Sequence, residues 1–84
     1  MALPSQPSQK MADAEHPLPP NVQEAVNRMV AEYREMPGMT LTVTQAQRLW
    51  GIDTSTCTLA LGALMRRRFL KRGTNGAYFR AWAG

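Results

Sequence analysis

The chain has 84 residues, 44% apolar and 19% charged, a composition typical of one small globular domain. The single cysteine excludes an intramolecular disulfide. The chain also has only one histidine, which argues against a zinc site. No apolar run approaches the ~20 residues of a membrane span, and the N-terminus lacks the pattern of a secretory signal. We therefore expect a cytoplasmic protein with no membrane association, metal or cofactor.

Charge is distributed unevenly along the chain. Residues 1–39 carry three basic and five acidic side chains, whereas residues 40–84 carry seven basic side chains against Asp53 alone. Positive charge gathered at one end favours a polyanionic partner. A solvated surface that keeps the protein soluble explains the same bias equally well.

Residues 1–20 contain five of the six prolines and little to bury, which predicts a disordered leader ahead of one folded domain at 21–84. Asn21 is the predicted N-cap of a first helix, and Pro37-Gly38 its predicted end. Apolar side chains recur between them at the spacing of one buried helix face: Val22, Ala25, Val26, Met29, Val30 and Tyr33.

A short segment and a second helix follow. Residues 39–42 are too short for an independent strand but could pair with a sheet edge. Thr42 and Gln45 have the spacing of a capping box at the start of the helix. Ala46 and Leu49 are predicted to face the core together, with Trp50 covering its edge.

A tight turn leads into a third, longer helix. Gly51 can take the positive φ that ends a helix, and Asp53 or Thr54 can cap the next one. The inward stripe of the third helix carries Cys57, Leu61 and Leu64, flanked by Ala60 and Met65. Cys57 is therefore predicted to be a core residue rather than a reactive thiol. At 100° per residue the outward face carries Ser55, Leu59, Gly62 and Arg66, with Thr58 and Ala63 at its margins.

Residues 69–72 and 77–80 flank Asn75-Gly76, which predicts a β-hairpin. Phe69 is predicted to pair across it with Tyr78 or Phe79, and Trp82 to pack back on the first helix. The order is then helix, short strand, helix, helix, hairpin. That order predicts a mainly α protein with a small β-hairpin, a winged helix-turn-helix with a three-helix core and a wing.

Several residues at matching spacing carry a family resemblance. They are Gly51-Ile52 in the turn, Ser55-Thr56 opening the third helix, Leu61 and Leu64 within it, and Phe69-Leu70, Arg72, Gly76 and Tyr78 in the wing. With them the chain resembles the DNA-binding domain of IclR-type bacterial transcription regulators and, more distantly, MarR-type domains. Leu59 stands where that family usually has a basic residue, and Arg68 where it usually has the glycine that closes the helix.

The resemblance implies that the third helix enters the major groove of double-stranded DNA while the wing lies along the backbone. Hydroxyls of Thr54, Ser55 and Thr58 are then expected to meet phosphates at the helix N-terminus. Leu59 would touch a thymine methyl or mark a protein contact. The remaining predicted contacts are the cations Arg48, Arg66, Lys71, Arg72 and Arg80, and Asn75 reaching a minor groove from the wing tip. Protection of exposed strand edges is the alternative explanation for the wing cations.

Other functions are set against this expectation. A protein-interaction module, or a subunit of a larger assembly, would use a docking patch of Leu59, Gly62 and Ala63. We see no Ser/His/Asp set, no paired carboxylates in the folded region and no glycine-rich phosphate loop, so we do not expect an enzyme. No small-molecule ligand is expected either. Repeated DNA half-sites would require a homodimer, with the first helix as its favoured seam.

Overall fold

A computed structural model describes residues 18–81 as three helices with a small antiparallel sheet. The predictions for residues 1–17 and for Trp82 lie outside that range. In chain order the elements are α1 (Pro20–Glu35), β1 (Thr40–Leu41), α2 (Val43–Trp50), α3 (Thr54–Arg66), β2 (Leu70–Arg72) and β3 (Tyr78–Arg80). Within this range no helix is long and apolar enough to span a membrane.

Helix α1 begins two residues earlier than predicted, and Asn21 does not cap it. Pro19 is the N-cap, and Pro20 occupies the first turn, where its fixed φ suits a helix and its missing N–H needs no acceptor. The Asn21 amide instead donates a hydrogen bond of 3.0 Å to the hydroxyl of Thr56. Leu18, ahead of the helix, packs against the core. The predicted apolar stripe is confirmed, since all of it is buried except the partly buried Val30.

Helix α2 starts as the sequence predicts but turns a different face inward. The capping box is present, with the Gln45 N–H donating to the Thr42 hydroxyl and the Thr42 N–H to the Gln45 side chain. Leu49 is 49% exposed, so its predicted place in the core is wrong. Ala46 and Trp50 are buried instead. They lie four residues apart on one face, which packs against α3 and, at Trp50, against Tyr33 of α1.

Helix α3 is the centre of the core. Cys57, Leu61 and Leu64 are buried, and burial raises the pKa of the Cys57 thiol. Gly51 takes the predicted left-handed conformation, with φ of 61°. Asp53, one of the two predicted caps, accepts the N–H and the hydroxyl of Thr56.

The three strands form one antiparallel sheet in the order β1-β3-β2. The predicted pairing of residues 39–42 with a sheet edge is confirmed, because Leu41 lies opposite Tyr78. The predicted pairing of Phe69 with Tyr78 or Phe79 is wrong. Arg72 lies opposite Tyr78 and Lys71 opposite Phe79, while the Phe69 carbonyl accepts the N–H of Ala81.

Tyr33 joins the three layers of the molecule. Its hydroxyl donates a hydrogen bond of 2.8 Å to the Tyr78 carbonyl, and its ring lies 6.4 Å from the rings of both Trp50 and Phe69. Burial, and secondarily the nearby Cys57, raises the pKa of Tyr33 to about 12. The neutral phenol of α1 therefore ties the end of α2 and the start of β2 to the central strand.

Candidate nucleic-acid interface

The N-terminal turn of α3 presents the predicted hydroxyls to solvent. Thr54, Ser55 and Thr58 are all exposed, and the Thr54 hydroxyl accepts a hydrogen bond of 3.0 Å from Gln47 of α2. Asp53 caps this end, and the hydrogen bonds from the Thr56 hydroxyl and N–H lower the pKa of its carboxyl. Its charge repels a phosphate at the helix axis, so phosphate contacts would have to come from the exposed hydroxyls at the side.

The middle of the outward face of α3 holds one large apolar side chain, Leu59, and the guanidinium of Arg66 reaches back to it. Leu59 is 49% exposed and Thr58 lies beside it, while Gly62 has no side chain. A methyl group built at Gly62 would lie 3.7 Å from the Arg66 guanidinium, so the Arg66 side chain runs back along this face.

One member of the alternative docking patch is misplaced. Ala63 is only 4% exposed, because its side chain turns toward the core beside Leu64. Its prediction as a margin of the outward face is wrong. An apolar patch on this face reduces to Leu59 and Gly62.

The wing carries two exposed cations at successive positions. Lys71 and Arg72 point to opposite faces of strand β2, because side chains alternate along a strand. The Arg72 guanidinium lies 6.0 Å from the centre of the Tyr78 ring, which fixes its direction. At the tip, the Asn75 side-chain oxygen accepts the N–H of Ala77 and thereby shapes the turn.

The remaining two predicted cations lie on α2 and on strand β3. Arg48 is exposed in the last turn of α2. Arg80 turns toward α1, with its guanidinium 4.2 Å from the centre of the Phe69 ring. Arg66 thus lies on the outward face of α3, Lys71 and Arg72 lie on the two faces of β2, and Arg80 lies against the Phe69 ring.

Arg80 borders a groove that the sequence does not reveal. The groove lies between α1, the end of α3 and the end of β3, with a volume of about 760 Å³. Four arginines line it together with an apolar floor: Arg34, Arg67, Arg68 and Arg80, over Val26, Val30, Leu64 and Phe69. The run Arg66-Arg67-Arg68 is therefore divided, with its first member on the α3 face and the other two at this groove. A charge run alone gives no signal of that division.

The backbone at the end of α3 explains why the arginine run passes from the outward face of α3 to the groove. The Phe69 N–H bonds to the Leu64 carbonyl and the Arg68 N–H to the Met65 carbonyl, the hydrogen-bond pattern of a Schellman motif. Arg68 occupies its left-handed position, with φ of 62°. Glycine is the usual residue there, because any Cβ strains this conformation.

The chain matches no protein-family model, no curated protein and no solved structure. Between residues 18 and 81 no group of three or more histidine, cysteine, aspartate or glutamate side chains is arranged to hold a metal ion. The candidate interface therefore depends on the exposure, charge and geometry of its own residues.

Proposed function

We propose that the protein binds double-stranded DNA as a small transcriptional regulator or accessory DNA-binding factor of the bacterial cytoplasm. In this proposal α3 lies in the major groove and the β2–β3 wing follows the backbone. The single observation that supports it most is the outward face of α3. Leu59 and Gly62 lie in its middle, exposed hydroxyls lie at its N-terminal end, and the Arg66 side chain runs back from the other end to Gly62.

Phosphate contacts would supply most of the affinity. Arg66 and the exposed wing cations Lys71 and Arg72 neutralise phosphates, and the hydroxyls of Ser55 and Thr58 position the helix without reading sequence. Arg and Lys are the usual readers of guanine, and the outward face of α3 offers only Arg66. The expected recognition is therefore weakly sequence-dependent, with the Leu59 side chain against a thymine methyl.

Fluorescence anisotropy on a labelled duplex of random sequence tests the proposal. A protein that neutralises about five phosphates loses affinity by orders of magnitude between about 50 and 200 mM salt. Replacing Arg66, Lys71 and Arg72 together with Ala should weaken binding and lower the magnitude of the logarithmic salt slope by roughly 3, about 0.9 for each lost contact. Arg28→Ala removes an exposed arginine from α1 and serves as the matched control.

Absence of binding at low salt would contradict the proposal, as would an equal loss in the control. A protein-interaction module is the second candidate, because Leu59 leaves half of a large apolar side chain exposed. That function predicts a stable co-purifying partner whose binding is lost in Leu59→Glu and is insensitive to the triple alanine substitution.

A further inference from the structure

The arginine groove is built for an anion with an apolar part. Its floor is formed by Val26 and Val30 of α1 with Leu64 and Phe69, and four arginines also line the groove. None of the described residues that line it is acidic. Arg80 is held against Phe69, its guanidinium 4.2 Å from the ring centre, so one of the four cations is preoriented.

The backbone at the rim of the groove supplies independent support. Arg68 is the only non-glycine residue in the described range with a positive φ, at 62°. Glycine would relieve this strain and close the helix equally well, yet the position carries a long cationic side chain that lines the groove. The Arg68 side chain makes no hydrogen bond within the described residues, so it does not compensate for the backbone strain there. A strained residue of this kind points to a role in binding.

We infer that this groove binds an acidic peptide segment of a partner protein, with an apolar anchor residue on the floor and carboxylates at the arginines. The groove runs along α1 from Val26 to Arg34, which is roughly 12 Å of helix. It is open to solvent along that length, whereas pockets for small molecules enclose most of their ligand. An extended segment of about four residues spans the same distance. Arginine clusters recognise such acidic motifs through charge-assisted, bidentate hydrogen bonds.

This site is separate from the proposed DNA interface. Arg66 lies along the outward face of α3, whereas Arg67 and Arg68 turn toward α1. The inference consequently does not depend on DNA binding, and the two sites can be tested against each other in one protein.

The probe is a short fluorescein-labelled peptide with a leucine flanked on both sides by glutamates, titrated with the full chain at low salt. Its matched control has glutamine in place of every glutamate. We expect the acidic peptide to bind and the glutamine peptide to fail, because only the first has carboxylates for the guanidinium groups.

Two single variants separate the sites. Arg68→Gly should weaken peptide binding roughly fivefold, the effect of losing one exposed charge pair, and should leave duplex affinity unchanged. Arg66→Ala should weaken duplex binding and leave peptide affinity unchanged. Arg68→Gly suits the backbone conformation at this position, so misfolding would not explain its loss of binding.

Three results would overturn the inference. The glutamine peptide could bind as tightly as the acidic one, Arg68→Gly could bind the peptide like the unaltered chain, or duplex DNA could displace the peptide competitively. The last result would assign the groove to the nucleic-acid interface. Loss of duplex binding in Arg66→Ala with no peptide binding in any variant would refute the groove and leave the DNA proposal standing.

Discussion

Helices α2 and α3 end in the same backbone conformation with very different residues. Gly51 closes α2 with φ of 61°, and Arg68 closes α3 with φ of 62°. In both, the residue next to the closing position reaches the same ring, since Trp50 and Phe69 each lie 6.4 Å from Tyr33. The two ends therefore share one anchor.

The difference between these ends lies in what surrounds them. No heavy atom lies within 4 Å of a methyl group built at Gly51, so that end serves only to turn the chain between two helices. Arg68 borders a groove with three further arginines. The strained backbone conformation is thus held by an arginine beside other cations at one end and by a glycine in open space at the other.

Substitution of Tyr33, the anchor shared by the two helix ends, should change the free energy of unfolding the most. Tyr33→Ala removes the ring from both ends and should lower the free energy of unfolding by about 3–5 kcal/mol, comparable to the total stability of a small domain. Tyr33→Phe keeps both ring contacts and loses only the hydrogen bond to Tyr78, worth about 1 kcal/mol. Urea unfolding followed by circular dichroism measures both. Similar losses in the two variants would show that the rings do not anchor the helix ends.

Alkaline pH should reduce the stabilisation that Tyr33 gives to the fold. The pKa of Tyr33 rises from 10.0 to about 12 on burial, so the folded state holds the proton after the unfolded chain has released it. Its stabilising contribution is complete below pH 10 and is lost as the pH rises to about 12, at most about 3 kcal/mol. The stability advantage of the unaltered chain over Tyr33→Phe, about 1 kcal/mol at neutral pH, should shrink over this window and then reverse. A constant difference between them would contradict the assigned titration.

A side chain at Gly51 tests the first helix end. Gly51→Ala should destabilise the protein by about 1–2 kcal/mol, because φ of 61° is strained for any residue with a Cβ. Gly38→Ala is the control, since a Cβ there also meets open space and its φ is not positive. Thermal melts of the two variants give the difference. Equal effects would show that the left-handed conformation adds no strain at Gly51.

The smallest change in the free energy of unfolding is expected at the end of α3, where the substitution should stabilise the protein. Arg68→Gly should stabilise the fold by about 0.5–1 kcal/mol, because release of strain exceeds the larger chain entropy of glycine. Arg68→Ala retains the strain and should show no gain. Equal stability of the two variants would mean that Arg68 is unstrained, which would remove one support for the groove.

Much of the fold follows from local sequence signals. The capping box of Thr42 and Gln45, the positive φ of Gly51 and the buried stripe of α1 depend on residues close together in the chain. The predictions that failed concern which way a residue faces. In the eight-residue α2 either Leu49 or Trp50 could join Ala46, and only packing against Tyr33 decides for Trp50.

Less of the candidate site could be predicted. The exposed hydroxyls and Leu59 follow from the helical period, since α3 has a clear inward stripe. The arginine groove could not be predicted, because it joins side chains from position 26 to position 81 and depends on the left-handed turn at Arg68. The amide of Asn21 was misassigned for a similar reason. Its acceptor, Thr56, is 35 residues away.

The central claim is that the outward face of α3 contacts DNA. Titration of duplex DNA into the 15N-labelled protein at low salt, followed by amide chemical shifts, tests it most directly. The account predicts the largest changes at Ser55, Thr58 and Leu59 and around the wing tip, with Val26 and Val30 in the groove unaffected. Changes confined to α1 and the groove, or no changes at all, would contradict it.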